Sequence, residues 1–237
     1  MTDLENVDGL ERRALEFALA ARLTAYPGDT LEAELARFEA AVDSPPPALA
    51  AVRAHLSGHG LDELNSDYLG LFGSHAQRLS LHETEYGRMR GMAKGHDLAD
   101  LCGFYRAFGL EVTDAAEGRD LPDHLACELE FYAVLLARSA AVRAWCDAEG
   151  TFVVLDARRK FLDSHLGRLA MTVGAHPRVA AHPAFGPAFA WAAELVAAQC
   201  AALGARPAPL DFFAGAAEPD DVSCAATPHT QGANRNV

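Results

Sequence analysis

Apolar residues recur three and four positions apart in segment after segment of this chain, and that spacing restricts it to helices. Leu10, Ala14, Phe17, Ala18 and Ala21 set the pattern between Leu4 and Tyr26, which therefore reads as an amphipathic helix. Pro27-Gly28 stops it, and Asp29 with Glu32 three residues on resembles the capping signature of a second helix. That helix carries Leu31, Leu35 and Phe38 and must end before Ser44-Pro45-Pro46-Pro47, because proline has no N–H to donate. A short helix is expected from Ala48 to Leu56, with Ser57-Gly58-His59-Gly60 as the break after it. Leu61, Leu64, Tyr68, Leu71 and Phe72 resume the spacing, and the stretch from Gly73 to His82 is polar and irregular.

Further along, Leu98, Leu101, Cys102, Tyr105 and Phe108 mark a helix from Asp97 to Phe108, stopped by Gly109. Gly118-Arg119-Asp120-Leu121 reads as a loop, and Pro122 suits the first turn of the helix that presents Leu125, Leu129, Tyr132 and Leu136. Long patterns follow from Asp156 to Val173 and from Ala184 to Leu203. Thr151-Phe152-Val153-Val154-Leu155 is the one run with strand character, and one strand makes no sheet. The expected fold is all-α: a single-domain helical bundle over residues 1–213, then a mobile, apolar-poor tail over 214–237. Phe212-Phe213 is expected to anchor the start of that tail.

Charge narrows the function classes. Twenty Lys and Arg stand against 33 Asp and Glu, a net charge of -13. A field of that sign repels phosphate backbones, so no nucleic-acid partner is expected, and a basic segment would be attracted. No apolar run is expected to reach the roughly 20 residues of a membrane helix. The acidic start Met1-Thr2-Asp3-Leu4-Glu5 lacks an export signal's basic and apolar regions. Five scattered cysteines, Cys102, Cys127, Cys146, Cys200 and Cys224, form no C-x-x-C pair. A reduced, cytoplasmic protein is the plain expectation.

Enzyme signatures are missing: there is no G-x-x-x-x-G-K-[ST], no G-x-G-x-x-G after a strand and no G-x-S-x-G. Arg158-Arg159-Lys160-Phe161-Leu162 lies mid-chain and reads as a basic helix face with Phe161 and Leu162 in the core. One rival reading is a helical carboxylate–histidine metalloprotein using His82, Glu83, Glu85, His124 and Glu128. Its weakness is spacing: helical di-metal sites supply Glu-x-x-His twice, whereas His124-x-x-x-Glu128 is an ordinary i,i+4 pair. A second rival is a helical adaptor for an unrelated partner.

Four segments in order carry a family resemblance: Tyr68-Leu69-Gly70-Leu71-Phe72, His82-Glu83-Thr84-Glu85-Tyr86, Asp120-Leu121-Pro122-Asp123-His124 with the helix to Phe131, and Phe161-Leu162-Asp163-Ser164-His165-Leu166. Together they resemble the TorD/DmsD family of molybdoenzyme maturation chaperones. Asp120 stands where that family commonly has Glu, and Pro122 falls one residue late. Those departures resemble the branch serving dimethyl sulfide, ethylbenzene, selenate and chlorate enzymes.

The resemblance implies a chaperone without turnover that binds the apo catalytic subunit of a molybdenum oxidoreductase, and leaves open whether the twin-arginine leader or the mature subunit is the part bound. No stably bound cofactor is implied; transient contact with the molybdopterin cofactor or a nucleotide is left open, as is the choice of monomer or homodimer. It also implies a client-binding surface made of Tyr68, Leu71, Phe72, Glu83, Glu85, Tyr86, Asp120, Pro122, Asp123, His124 and Glu128. On charge alone this should be an acidic rim beside an aromatic face, suited to arginines followed by an apolar helix. Asp123 would also cap a helix. Replacing Asp123 or His124 by Ala is then expected to weaken client binding and leave the melting temperature unchanged.

Overall fold

Asn6 opens the first helix, its side-chain oxygen accepting the Gly9 N–H at 2.7 Å. The structure is a computed structural model, and it describes residues 6–42, 44–73, 79–86, 94–110, 121–208 and 210. In chain order the helices are α1 (Val7–Thr24), α2 (Leu31–Ala41), α3 (Pro47–His59), α4 (Leu61–Phe72), α5 (Lys94–Ala107), α6 (Leu125–Ala144), α7 (Ala148–Phe161), α8 (Gly167–Gly174), α9 (Pro177–Ala180) and α10 (Phe185–Leu203). A 3-10 turn, Glu83–Glu85, lies between α4 and α5, and a π turn, Leu162–Leu166, joins α7 to α8 without a break. No strand occurs among the described residues, so the fold is all-α as the spacing predicts. The tail over 214–237, and Phe212-Phe213 before it, lie outside the described residues.

α1 lies along α6, and α10 packs against α1, α3 and α8. Leu10, Phe17, Leu19, Leu129, Tyr132, Leu136, Phe189 and Val196 fill the space between these helices. Burying them is the main favourable term for a fold of this kind. α10 departs from the expectation that no apolar run approaches membrane-spanning length: it has 19 residues with Glu194 as its only charge. Its buried face, including Phe185, Phe189, Leu195 and Val196, is covered by its neighbours. The side turned away from those neighbours is mostly alanine, with Ala190, Ala197, Ala198, Ala201 and Ala202 exposed, so small residues rather than enclosure on every side make α10 apolar.

Several expected boundaries move. α2 begins after Thr30, whose hydroxyl donates to the Glu34 carboxylate at 2.6 Å, so the Asp29–Glu32 capping pair does not form. α3 runs on through Ser57-Gly58-His59 and stops only at Gly60, where φ is +84°. Burial of Leu49, Val52 and Leu56 outweighs the roughly 1 kcal/mol that one glycine costs inside a helix. Pro122 lies outside α6, whose N-cap is His124. Thr151–Leu155 belongs to α7, because Val154 faces the core at helical spacing while Phe152 and Val153 point to solvent.

The junction from α7 to α8 is fastened from outside by the chain after α10. The Asp163 carboxylate accepts the Arg206 N–H, Arg168 Nε donates to the Ala208 carbonyl at 3.3 Å, and the Leu210 N–H donates to Thr172 Oγ1 at 3.3 Å. Gly167 makes room for this strap: a Cβ there would meet the Leu162 carbonyl and sit 2.8 Å from Pro207 Cγ. Gly167→Ala should therefore lower stability by about 1–3 kcal/mol through overpacking. Gly103→Ala, on an exposed turn of α5 with nothing within 4 Å, should instead be neutral or raise it by up to about 1 kcal/mol. Chemical denaturation of the two variants side by side checks both signs.

Candidate functional site

The segment 79–86 crosses the start of α6 and is tied to it by two backbone hydrogen bonds. The Glu83 N–H donates to the Asp123 carbonyl at 2.9 Å, and the Leu125 N–H donates to the Leu81 carbonyl at 2.8 Å. This antiparallel bridge sets the His82 and His124 rings edge to face, their centroids 5.1 Å apart. It also brings four of the sequence-derived candidates, Glu83, Asp123, His124 and Glu128, into one place.

Asp123 is fully buried and does not cap α6. Its Oδ2 accepts both the Thr84 hydroxyl at 2.6 Å and the Thr84 N–H at 3.2 Å, and its Oδ1 lies 3.1 Å from His82 Nδ1. Burial pushes the carboxyl up, but hydrogen bonds from His82 and Thr84 and the His82 charge overcome it and hold it down at about 2. An ionised, triply bonded carboxylate is the clamp between two segments.

His124 takes the cap instead: its Nδ1 accepts the Ala126 N–H at 3.1 Å. A nitrogen that accepts carries no proton, so the proton sits on Nε2, 3.3 Å from the Tyr68 hydroxyl. That hydroxyl reaches the Thr24 carbonyl at 3.4 Å. Burial is the main cause, with the His82 charge second, that pushes His124 down to about 3. The imidazole is neutral in the folded chain.

Glu83 is also buried; one of its oxygens lies 2.8 Å from His165 Nδ1 and the other accepts from Arg168 at 3.5 Å. Glu128 is fully buried, and neither of its oxygens has a hydrogen-bond partner among the described residues. Burial above all, then the Glu83 and Asp123 charges, raise it well above the usual carboxylate value, while Arg168 opposes them. Glu85 sits at the edge, paired with Lys94 at 2.8 Å. Tyr86 is buried with its hydroxyl donating to the Ser80 carbonyl, and the Pro122 carbonyl accepts from Tyr105 at 2.7 Å. Asp120 lies outside the described residues.

Two expectations about shape are corrected. Part of the expected acidic rim is interior, since Glu83, Asp123 and Glu128 are buried, while Glu85 is half-buried, Glu130 is exposed and Asp120 lies outside the described residues. The aromatic face is also turned inward: Tyr68 and Phe72 pack edge-on against Phe185, and Phe72 stacks on Phe189 at 5.0 Å. The cause in both cases is α10, whose Phe185 and Phe189 need apolar partners, and the bridge at 82–124, which draws the carboxylates inside. Three of the rival metal ligands, Glu83, His124 and Glu128, lie in this cluster, yet among the described residues no group of three or more His, Cys, Asp or Glu side chains is placed to hold a metal ion.

Sequence reasoning assigned no role to Thr84, Arg168 or Asp100, nor to His165, whose Nε2 lies 3.3 Å from Asp100. A signal for His165 was present, because it falls on the apolar face set by Phe161, Leu162, Leu166 and Leu169. A titratable group at a core position of a helix needs a partner from elsewhere in the chain.

Residues 31–170 match the nitrate reductase delta subunit family. That span is more than half of the chain and includes Tyr68, the 79–86 segment, Asp123, His124, Glu128, His165 and Arg168. The chain belongs to this family. Among curated relatives it is 38% identical over 110 residues to the chlorate reductase assembly chaperone protein of Ideonella dechloratans, covering 45% of this chain and 53% of that one. It is 35% identical over 155 residues to the selenate reductase assembly chaperone protein of Thauera selenatis, covering 60% and 72%. A shorter match, 64% identical over 39 residues and 16% of each chain, is to the dimethyl sulfide dehydrogenase assembly chaperone protein of Rhodovulum sulfidophilum. The chain thus spans about half the length of the first of these relatives and most of the second.

The pairing of Asp123 with Thr84 reverses the expectation that Asp123→Ala leaves the melting temperature unchanged. Leaving the Thr84 donors buried and unpaired should cost on the order of 3 kcal/mol at neutral pH. Because the folded Asp123 titrates near 2 against 3.8 when free, the difference from wild type should hold above pH 4 and close as pH falls toward 2. His124, neutral when folded and protonated below about 6.5 when unfolded, should make wild-type stability fall between pH 6.5 and 3. His124→Asn, which keeps a cap acceptor, should flatten that slope. Urea denaturation at stepped pH measures all three.

Proposed function

We propose that this chain is an assembly chaperone that binds the catalytic subunit of a molybdenum-dependent oxidoreductase before that subunit receives its cofactor and is exported. The observation that carries this reading is the family match over 31–170, which spans the buried polar cluster and the helices that build it. The relatives' names support binding and assembly rather than turnover. On this reading the client is the chlorate- or selenate-reductase type of enzyme, and the chaperone works in the cytoplasm, where that client folds. The molybdopterin is the client's cargo and needs no resident site here.

Net charge -13 supports a basic contact surface on the client. Arginines of a twin-arginine leader would supply it, followed by an apolar helix. Release is part of the task, so the complex should be reversible. Affinity-tagged chain expressed in its native host should recover one oxidoreductase catalytic subunit that lacks its cofactor. A host without the gene should make that enzyme in inactive, cofactor-poor form. Full activity and cofactor loading in the deletion strain would refute the proposal.

A further inference from the structure

We propose that the corner between α6 and α7 is a docking surface for a basic, apolar segment of the client, anchored on Trp145, Phe152 and Val153. This rests on the chaperone reading above and adds to it a surface made of none of the candidate residues. Trp145 is 78% exposed, Phe152 73% and Val153 54%, all within nine consecutive residues. The other large apolar side chains left exposed, Leu15, Tyr26, Leu69 and Leu121, come from separate elements, and none matches Trp145 or Phe152. A scattered apolar side chain on a surface needs no explanation, but three at one corner do.

The packing of the two helices makes it one corner. α7 starts so close to the end of α6 that a Cβ at Gly150 would lie 3.0 Å from Val142 Cγ1. The 20 residues of α6 put about 30 Å between this corner and the bridge at 82–124. Its backbone is held stiffly: the N–H groups of Trp145, Cys146 and Asp147 donate to the carbonyls of Ala141, Arg143 and Val142 at 3.1, 3.0 and 2.9 Å. Cys146 takes φ of +55°, a conformation glycine usually supplies after a helix. Asp147 then caps α7, its Oδ1 accepting the Gly150 N–H at 2.9 Å. Backbone fixed beforehand lowers the entropy lost on binding.

Charge selects the occupant. From Ala144 to Ala157 every charged residue is acidic, namely Asp147, Glu149 and Asp156. Of the flanking cations, Arg143 is half-buried, Arg158 is buried, and Asp156 pairs Arg159 and Lys160 at 3.3 and 2.7 Å. A second copy would bring another net charge of -13 against this one, and an anionic lipid surface would likewise be repelled. A client segment with Lys or Arg beside apolar side chains gains from both the acids and the aromatics, and its cation can stack on the Trp145 ring.

The test uses the full chain and the catalytic subunit recovered by the affinity experiment above. Trp145→Ala combined with Phe152→Ala should lower affinity for the subunit at least roughly tenfold by calorimetry, as truncation of aromatic anchors does. Both side chains are exposed, so the melting temperature should stay at the wild-type value. Glu149→Gln should lose a smaller factor, about twofold to fivefold at low salt, and flatten the salt dependence. Hydroxyl-radical footprinting of wild type should show Trp145 and Phe152 protected by the bound subunit.

Unchanged affinity in the double variant, or no protection of Trp145 and Phe152, overturns the docking surface and leaves the chaperone reading intact. Protection that appears in the free chain as its concentration rises makes the corner an interface between copies, and overturns it too. Wild-type affinity in Glu149→Gln at low salt overturns the basic character of the occupant. The wild-type footprint decides the question even where a variant fails to fold. Failure of wild type to bind the subunit at all overturns the chaperone reading, and this surface with it.

Discussion

The buried carboxylate of Asp123 holds the middle of this protein together. It is ionised in the interior because Thr84 and His82 supply three contacts to it from a segment 39 to 41 residues earlier in the chain. An ion removed from water persists only where such partners are fixed in place. Fixing them brings the 79–86 segment against the start of α6, which allows the backbone bridge and seats Glu83 beside His165 and Arg168. The neutral His124 then continues the network to Tyr68 and the end of α1. One clamp therefore links α1, α4, α6 and the π turn at the head of α8.

The apolar scaffold around the cluster is of another character. α1, α6 and α10 bury a continuous set of leucines and phenylalanines, and such packing is non-directional and tolerant of small shifts. The polar cluster is directional, since a hydrogen bond weakens steeply once its donor and acceptor move out of line. The π turn belongs to this directional part: it lies at the junction of α7 and α8 and carries His165, whose Nδ1 lies 2.8 Å from a Glu83 oxygen.

The helices themselves were readable because their signal is local. α1, α4, α5 and α6 appear within a few residues of where the apolar spacing puts them, and Gly109 ends α5 with φ at +77° as a stop should. Errors arose where two local signals competed. Asp29 and Thr30 both offer a cap, and the packing of Leu31 and Leu35 chose the register. Asp123 and His124 both stand before α6; the chain turned Asp123 backward to Thr84 and left the cap to an imidazole. The candidate residues were found by motif, yet their surroundings were misjudged. Acidic residues close in sequence suggested a solvated rim, although Glu128 falls at helical spacing between Leu125 and Tyr132, on the face that is buried.

By itself the sequence determined that the chain is helical, that it is acidic, and which short motifs place it in a family. Each follows from residues within one or two helical turns of each other, or from a sum over the chain that no fold can alter. Only the tertiary structure decided that Asp123 is a clamp, that Tyr68 and Phe72 lie under α10, and that Glu128 is left without a partner. Those outcomes depend on which distant segments meet. A hydrogen bond between residues 39 apart, or a contact between residues 82 apart such as His165 and Glu83, leaves no periodic mark in the chain that makes it.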